Sequence, residues 1–207
     1  MSDIAILHLD ESCLGNGREG QNPGGGGGLI EARTASGRIQ RRDFYISSPA
    51  TTNNRMALSG AIAALQLLAK KGARLQALIV SDSQYLVKGM REWVPGWEAR
   101  GWKRKLGAIE NLELWQTLLA SARLHDVQWT WVRGHRGHAK NEYANDLAVL
   151  AAREQRTSDG IVESGFGDWL ESKRAKGMYS EYDPDTAFAV LEGRLASGRA
   201  FALAEER

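Results

Sequence analysis

Cysteine is what this chain has least of. Cys13 is the only one in 207 residues, which rules out an internal disulfide and fits a reducing compartment. No apolar run approaches the ~18 residues that a membrane span needs. The start, Met1-Ser2-Asp3-Ile4, has neither the basic nor the apolar region of a secretory leader. The expected setting is the cytoplasm, away from the membrane. Nucleotide-cradling signatures are missing as well. The five consecutive glycines that begin at Gly24 are followed by no Gly-Lys-Ser/Thr, and no G-x-G-x-x-G opens a helix. Cys13 has no partnering base motif and a zinc site lacks ligands, so thiol-nucleophile and zinc chemistry are set aside.

The 43% hydrophobic content suits an ordinary soluble core, and the length suits one domain with an appendage. A net charge of +2 hides an asymmetry. Residues 1–153 hold 20 Lys+Arg and 14 Asp+Glu, whereas residues 154–207 hold 7 and 11. A basic body with an acidic tail hints at a polyanionic partner for the body, beside the plainer reading of solvated surface charge.

Residues 4–10 are apolar and β-capable, a strand ending on an acid. The segment 15–28 reads as a flexible glycine-rich connection. Residues 28–32 and 38–46 then read as antiparallel strands around Ser36-Gly37. Asn53 is a candidate N-cap for a helix to about residue 71, with Leu58, Ile62, Leu65 and Ala69 at helical spacing. Further strands are expected at 75–80 and 127–132. Helices are expected at 83–90, at 112–124 with Trp115, Leu118, Leu119 and Ala122 inward, and at 139–153 with Tyr143, Leu147 and Leu150 on one side. Residues 157–160 read as a linker, after which 166–176 and 185–196 can each form a short helix. This pattern predicts an α/β domain over 1–153, a five-stranded mixed sheet with helices on both faces, and a C-terminal extension over 154–207.

Four blocks carry the chemistry: Asp10-Glu11-Ser12-Cys13-Leu14-Gly15-Asn16, Thr51-Thr52-Asn53-Asn54-Arg55-Met56, Ser81-Asp82-Ser83-Gln84-Tyr85 and Gly134-His135-Arg136-Gly137-His138 running on to Asn141-Glu142. In this order and spacing they resemble a type 1 ribonuclease H over about residues 4–153. The resemblance implies the ribonuclease H-like fold and an endonuclease that cuts the RNA strand of RNA–DNA hybrids, leaving 5′-phosphate ends. It implies a monomer using Mg²⁺ or Mn²⁺, with two ions about 3.5–4 Å apart when substrate is bound. Asp10 and Asp82 would be metal ligands, and His135 would move protons near neutral pH.

The resemblance also exposes two departures. A glutamate is expected directly after Asn-Asn-Arg-Met, where this chain has Ala57. An aspartate is expected where it has Asn145, which can still offer a metal its neutral amide oxygen and so stands as a weak third ligand. Three readings stand side by side: substitutions made to disable cutting, a naturally reduced site completed by substrate phosphates, or compensation by a neighbour. Glu11 is the chief neighbour, because it adjoins Asp10, which the resemblance makes the bridge between the two metals, where the family usually has glycine. Its plainer reading is a solvated turn residue. With two acids lost, a hybrid-binding module with impaired catalysis is the alternative function.

By resemblance, Cys13, Asn16, Asn53, Asn54 and Gln84 bond the 2′-hydroxyls that a hybrid shows in its shallow minor groove, with Thr52 near phosphate. Between Lys88 and Lys105 lie six basic residues and two acids, interleaved with tryptophans. This resembles the family's basic handle for the DNA strand, with Trp93, Trp97, Trp102, Lys103, Arg104 and Lys105 as contacts. At least one of these tryptophans is expected to be purely structural.

Overall fold

The computed structural model describes residues 4–15, 22–70, 72, 74–104, 106–134 and 137–199. Strands β1 (Ile4–Cys13), β2 (Gly24–Arg33) and β3 (Ile39–Ser48) form an antiparallel meander. Two parallel strands, β4 (Gln76–Ser81) and β5 (Asp126–Trp131), extend the sheet beyond β1. A two-residue strand, β6 (Val162–Glu163), closes the other edge against β3, so the order is β5-β4-β1-β2-β3-β6. The sheet therefore has six strands rather than five. The sixth is too short to leave a periodic signal and comes from the C-terminal extension.

Residue parity along β1 and β4 separates the two faces. Ala5, Leu7, Leu9, Ala77 and Ile79 share a core with α1 (Asn53–Ala69) and α4 (Leu112–Ala122). Ile6, Leu78 and Val80 belong to a second core with Phe188 and Leu195 of α7 (Pro184–Ala196). On that same face, α5 (Ala139–Glu154) packs on β1 and β2. Its buried side includes Tyr143, Ala144, Ala148, Ala151 and Ala152, and Leu147 is partly buried; Leu150, expected inward, is 45% exposed.

The glycine run is not a flexible connection: all five residues lie buried inside β2. Alternate residues face opposite helices. A Cβ on Gly25 would come 2.1 Å from the Ala148 carbonyl, and one on Gly27 2.5 Å from the Ala144 carbonyl, both in α5. On the other side, a Cβ on Gly26 would sit 3.5 Å from the Gly60 Cα of α1. The strand is thin so that the α5 backbone can rest directly on it. Gly25→Ala should cost about 1–3 kcal/mol or prevent folding, because backbone rather than a movable side chain blocks the methyl. Urea denaturation of the full chain checks this, with Gly37→Ala, where a methyl meets open space but φ is +84°, as the strained but uncrowded comparison.

Two smaller expectations also change. The α1 N-cap is Thr52, whose side chain accepts from the Arg55 N–H, and not Asn53. The presumed linker is stitched to β3: Ser158 N donates to the Tyr45 carbonyl, and Ser47 N donates to Thr157 Oγ1. Helices appear in the extension at α6 (Phe166–Arg174) and α7, close to the expected spans. Among the described residues, no helix is long and apolar enough to cross a membrane.

Candidate active site

Leu9 of β1 pairs with Ser81, the last residue of the neighbouring parallel strand β4, so Asp10 follows within β1 and Asp82 directly after the end of β4. By parity Asp10 shares the face of Ile6 and His8, the side covered by α5 and α7, and Asp82 lies near enough for its charge to act on both Asp10 and Glu11. Asp10 also pairs with Gly27, whose missing side chain points at α5. Both acids thus meet at the C-terminal ends of the strands, where open α/β sheets usually bind ligands.

Asp10 is nearly buried. Its Oδ1 accepts from the Glu11 N–H at 2.7 Å, and its Oδ2 accepts from Asn141 Nδ2 at 2.9 Å. Burial, reinforced by repulsion from Asp82 and Glu11, pushes its carboxyl up to about 9. Asp82 has its carbonyl held by Trp131 Nε1 at 2.9 Å. Gly134 leaves the room that Asp82 needs, because a Cβ there would come 2.1 Å from Oδ2.

Glu11 lies within β1, half-buried, rather than in a solvated turn. Burial and the charge of Asp82 push its carboxyl up to about 8, against a hydrogen bond with Ser83 that lowers it. It pairs with Gly26, which faces Gly60 of α1. Ala57, the position of the absent acid, lies one turn earlier on that helix and is buried. Glu11 therefore brings a carboxylate to the rim from the α1 side of the sheet.

Three carboxylates that repel one another favour a cation, and hard oxygen donors suit Mg²⁺ or Mn²⁺. Among the described residues, however, no three His, Cys, Asp or Glu side chains are already gathered tightly enough to hold a metal on their own. The donor set suits an ion completed by water and substrate phosphate.

Asn145 is half-buried on α5, one turn beyond Asn141. It is Asn141, not Asn145, whose amide touches Asp10. His135, Asn16 and Lys105 lie outside the described residues. Cys13 ends β1, its thiol donating to the Thr51 carbonyl at 3.4 Å, which brings it beside the Thr52, Asn53 and Asn54 cluster at the start of α1. Asn53 Oδ1 is buried without a hydrogen-bond partner among the described residues. Gln84 is exposed at the start of α2 (Gln84–Lys88).

The α2 helix runs through a wider turn at Gly89–Trp93 into α3 (Val94–Ala99). There Trp93 and Trp97 pack edge-on against Trp115, the fully buried tryptophan of α4. Trp102 is partly buried against the same core, and Lys103 and Arg104 are exposed. Asn111 is a residue the sequence did not single out. It sits in the left-handed region at φ 55°, accepts from Arg55 and donates to the Tyr85 hydroxyl, joining the start of α1 to the base of this hairpin. Its one sequence signal is an asparagine directly before a helix, a common feature.

Comparison with known proteins bears on the family and the fold. The profile of the RNase H family matches residues 3–153. A Ribonuclease H from Pelobacter propionicus is 42% identical over 151 residues, covering 72% of this chain and 85% of that protein. One from Aromatoleum aromaticum is 41% identical over 159 residues, covering 75% and 96%. The crystal structure of LC9-RNase H1, described as a type 1 RNase H with the type 2 active-site motif, matches with a TM-score of 0.79. It is 53% identical and the match covers 86% of each chain.

Proposed function

This chain belongs to the ribonuclease H family, and we propose that it hydrolyses the RNA strand of RNA–DNA hybrids with Asp10, Asp82 and Glu11 as its working acids. The observation that supports the proposal is the placement of Asp10 and Glu11 in β1 and Asp82 just past the end of the neighbouring β4, near enough for the Asp82 charge to act on both. LC9-RNase H1 supports a changed acid set on a type 1 body. Asn145 adds a neutral oxygen donor.

The family works with divalent metal ions; when bound, such ions activate water and steady the leaving oxygen of a phosphodiester. Asp10, Asp82 and Glu11 would hold them here, with Mg²⁺ or Mn²⁺ as the fitting ions. Asn141 keeps one Asp10 oxygen engaged and so orients the other lone pairs. Gly134 keeps the space before Asp82 open. His135 exchanges protons with solvent, and the departing 3′-oxygen is protonated, leaving 5′-phosphate and 3′-hydroxyl ends. Cys13, Asn16, Asn53, Asn54 and Gln84 read the RNA strand through its 2′-hydroxyls. Thr52 lies near phosphate. Lys103, Arg104 and Lys105 hold DNA phosphates, with Trp102 beside them, while Trp93 and Trp97 brace the hairpin against Trp115. The chain acts as a cytoplasmic monomer.

A labelled RNA–DNA hybrid incubated with Mn²⁺ or Mg²⁺ tests this, with duplex DNA and duplex RNA as controls. Cleavage confined to the RNA of the hybrid is expected, with KM rising steeply with salt. Tight hybrid binding without cleavage would instead favour the impaired module that Ala57 and Asn145 suggest.

A further inference from the structure

The first two turns of α5 hold the acid site and the C-terminal extension with neighbouring residues. Asn141 binds Asp10. Lys140, the residue before it, donates from Nζ to the Pro184 carbonyl at 2.9 Å and lies 2.7 Å from Glu31 Oε2. Glu31 is fully buried in β2 and also receives Arg41 Nε at 2.9 Å, while His8 Nε2 approaches at 3.2 Å. Arg41 reaches on to Asp185 at 2.6 Å. Pro184 and Asp185, which open α7, are thus gripped by two cations that share one buried carboxylate. Further along, the Tyr143 hydroxyl and the Gly165 N–H, one from α5 and one from the extension, both donate to Asp43 Oδ2. Trp169 Nε1 of α6 donates to Asp146 Oδ2 at 2.7 Å.

Close packing does not replace these ties at the start of α5. From Ala144 onward the helix backbone rests on Gly27 and Gly25. Before that point lies a cavity of about 260 Å³, bounded by Val80, Val132 and Asn141 on one side and Ala187, Val190 and Leu191 of α7 on the other. A helix end beside a cavity has fewer close contacts to hold it on that side than the stretch resting on the glycines. What fixes it is polar, and the partners come both from the body, through Asp10, Glu31 and Asp43, and from the extension, through Pro184 and Trp169. An ammonium buried at 3% exposure stays only where its partners stay, because burying it unpaired is very costly.

We propose that the C-terminal extension is a positioning element of the acid site: by holding Lys140 through Pro184 and Asp146 through Trp169, it sets the place of Asn141 and so the orientation of Asp10. The idea rests on the nuclease reading of Asp10. Lys140 and Trp169 are positioning residues, and their effect on the reaction runs through Asn141.

The test uses full-length variants. Lys140→Met fills the same space without ion pair or hydrogen bond. It should lower kcat about tenfold or more, since small displacements of a reacting group are costly, and leave KM for the hybrid within about twofold. In NMR spectra recorded without metal, the Asn141 side-chain amide should shift and lose its protection from solvent exchange. Trp169→Phe keeps an aromatic ring beside Tyr143 and Phe166 and removes the Asp146 bond together with part of the indole's packing; it should shift the same signal less, in the same direction. Glu192→Gln cuts the bidentate pair with Arg33 near the other end of α7, and should lower the melting temperature while leaving kcat and the Asn141 signal alone. A folded Lys140→Met protein with an unmoved Asn141 signal overturns the proposal. So does a kcat loss that merely follows melting temperature across all three variants. If Lys140→Met does not fold, Trp169→Phe decides by the same two readouts. A wild-type chain that fails to cleave hybrid would sink the nuclease reading, while the amide signal would still report the link between extension and Asn141.

Discussion

Asp10→Asn should reduce hybrid cleavage about a thousandfold or more, equivalent to about 4 kcal/mol of barrier, while making the metal-free protein harder to unfold at alkaline pH. The loss follows from removing the acid proposed to hold the metal. The gain follows from electrostatics. The Asp10 carboxyl is raised from an ordinary 3.8 to about 9, chiefly by burial and then by Asp82 and Glu11. A group raised on folding contributes stability that is complete below its ordinary value and is lost as pH climbs through the folded one. Without divalent ions, the melting temperature of the wild-type chain should therefore fall between about pH 4 and pH 9. Asp10→Asn should flatten that slope. Divalent ions should oppose it too, since they bind the folded, deprotonated site. Cleavage should rise with pH toward the alkaline side, and more metal should move that rise to lower pH. Calorimetry over this range, with and without Mn²⁺, reads every arm; a melting temperature indifferent to both pH and metal would show that these acids are not crowded together.

Glu11→Gln should cost about a hundredfold in kcat and leave the fold intact, because glutamine keeps the shape and removes the charge. Glu11 stands on the α1 side of the sheet, the side from which Ala57 offers no carboxylate. Adding Ala57→Glu to Glu11→Gln should recover at least about tenfold, since a charge at either position faces the same rim. Steady-state kinetics on a labelled hybrid settle it. Full activity in Glu11→Gln would return Glu11 to an ordinary strand residue and leave Asp10 and Asp82 to do the work alone. In the wild-type background, Ala57→Glu by itself should change little, because a third acid is already present.

Much of this was legible in the sequence, and what was not has physical causes. Asp10 and Asp82 could be paired because strand ends and acids coincide, and the two stand near each other, Asp10 in β1 and Asp82 just past the neighbouring β4. The helices of the extension were visible because Phe166, Leu170, Phe188 and Leu195 recur at helical spacing and are buried. The glycine run misled because side-chain periodicity cannot be read where side chains are absent; only the helices on either side give the strand its identity. Leu150 misled in the opposite way. Hydrophobicity assigned it inward, but the helix buries an alanine face because the glycine strand lets it come so near. Asn141 stood in plain view within a recognised block, yet its partner lies 131 residues away in sequence. Separation in sequence also hid the Lys140 and Glu31 pair, since a buried ion pair between remote segments carries no local pattern.

A strand of five glycines bears on the order of assembly. Glycine surrenders more backbone freedom on folding than any other residue, so this stretch has little tendency to become extended by itself. One of the helices that confine it, α5, is encoded more than a hundred residues later. Pairing that waits for a distant segment pays its loop-closure entropy before any contact rewards it. The β1–β2 pairing at the centre of the sheet should therefore consolidate late, after α1 has docked and only once α5 arrives, so that the acid cluster takes shape in one of the closing events of folding.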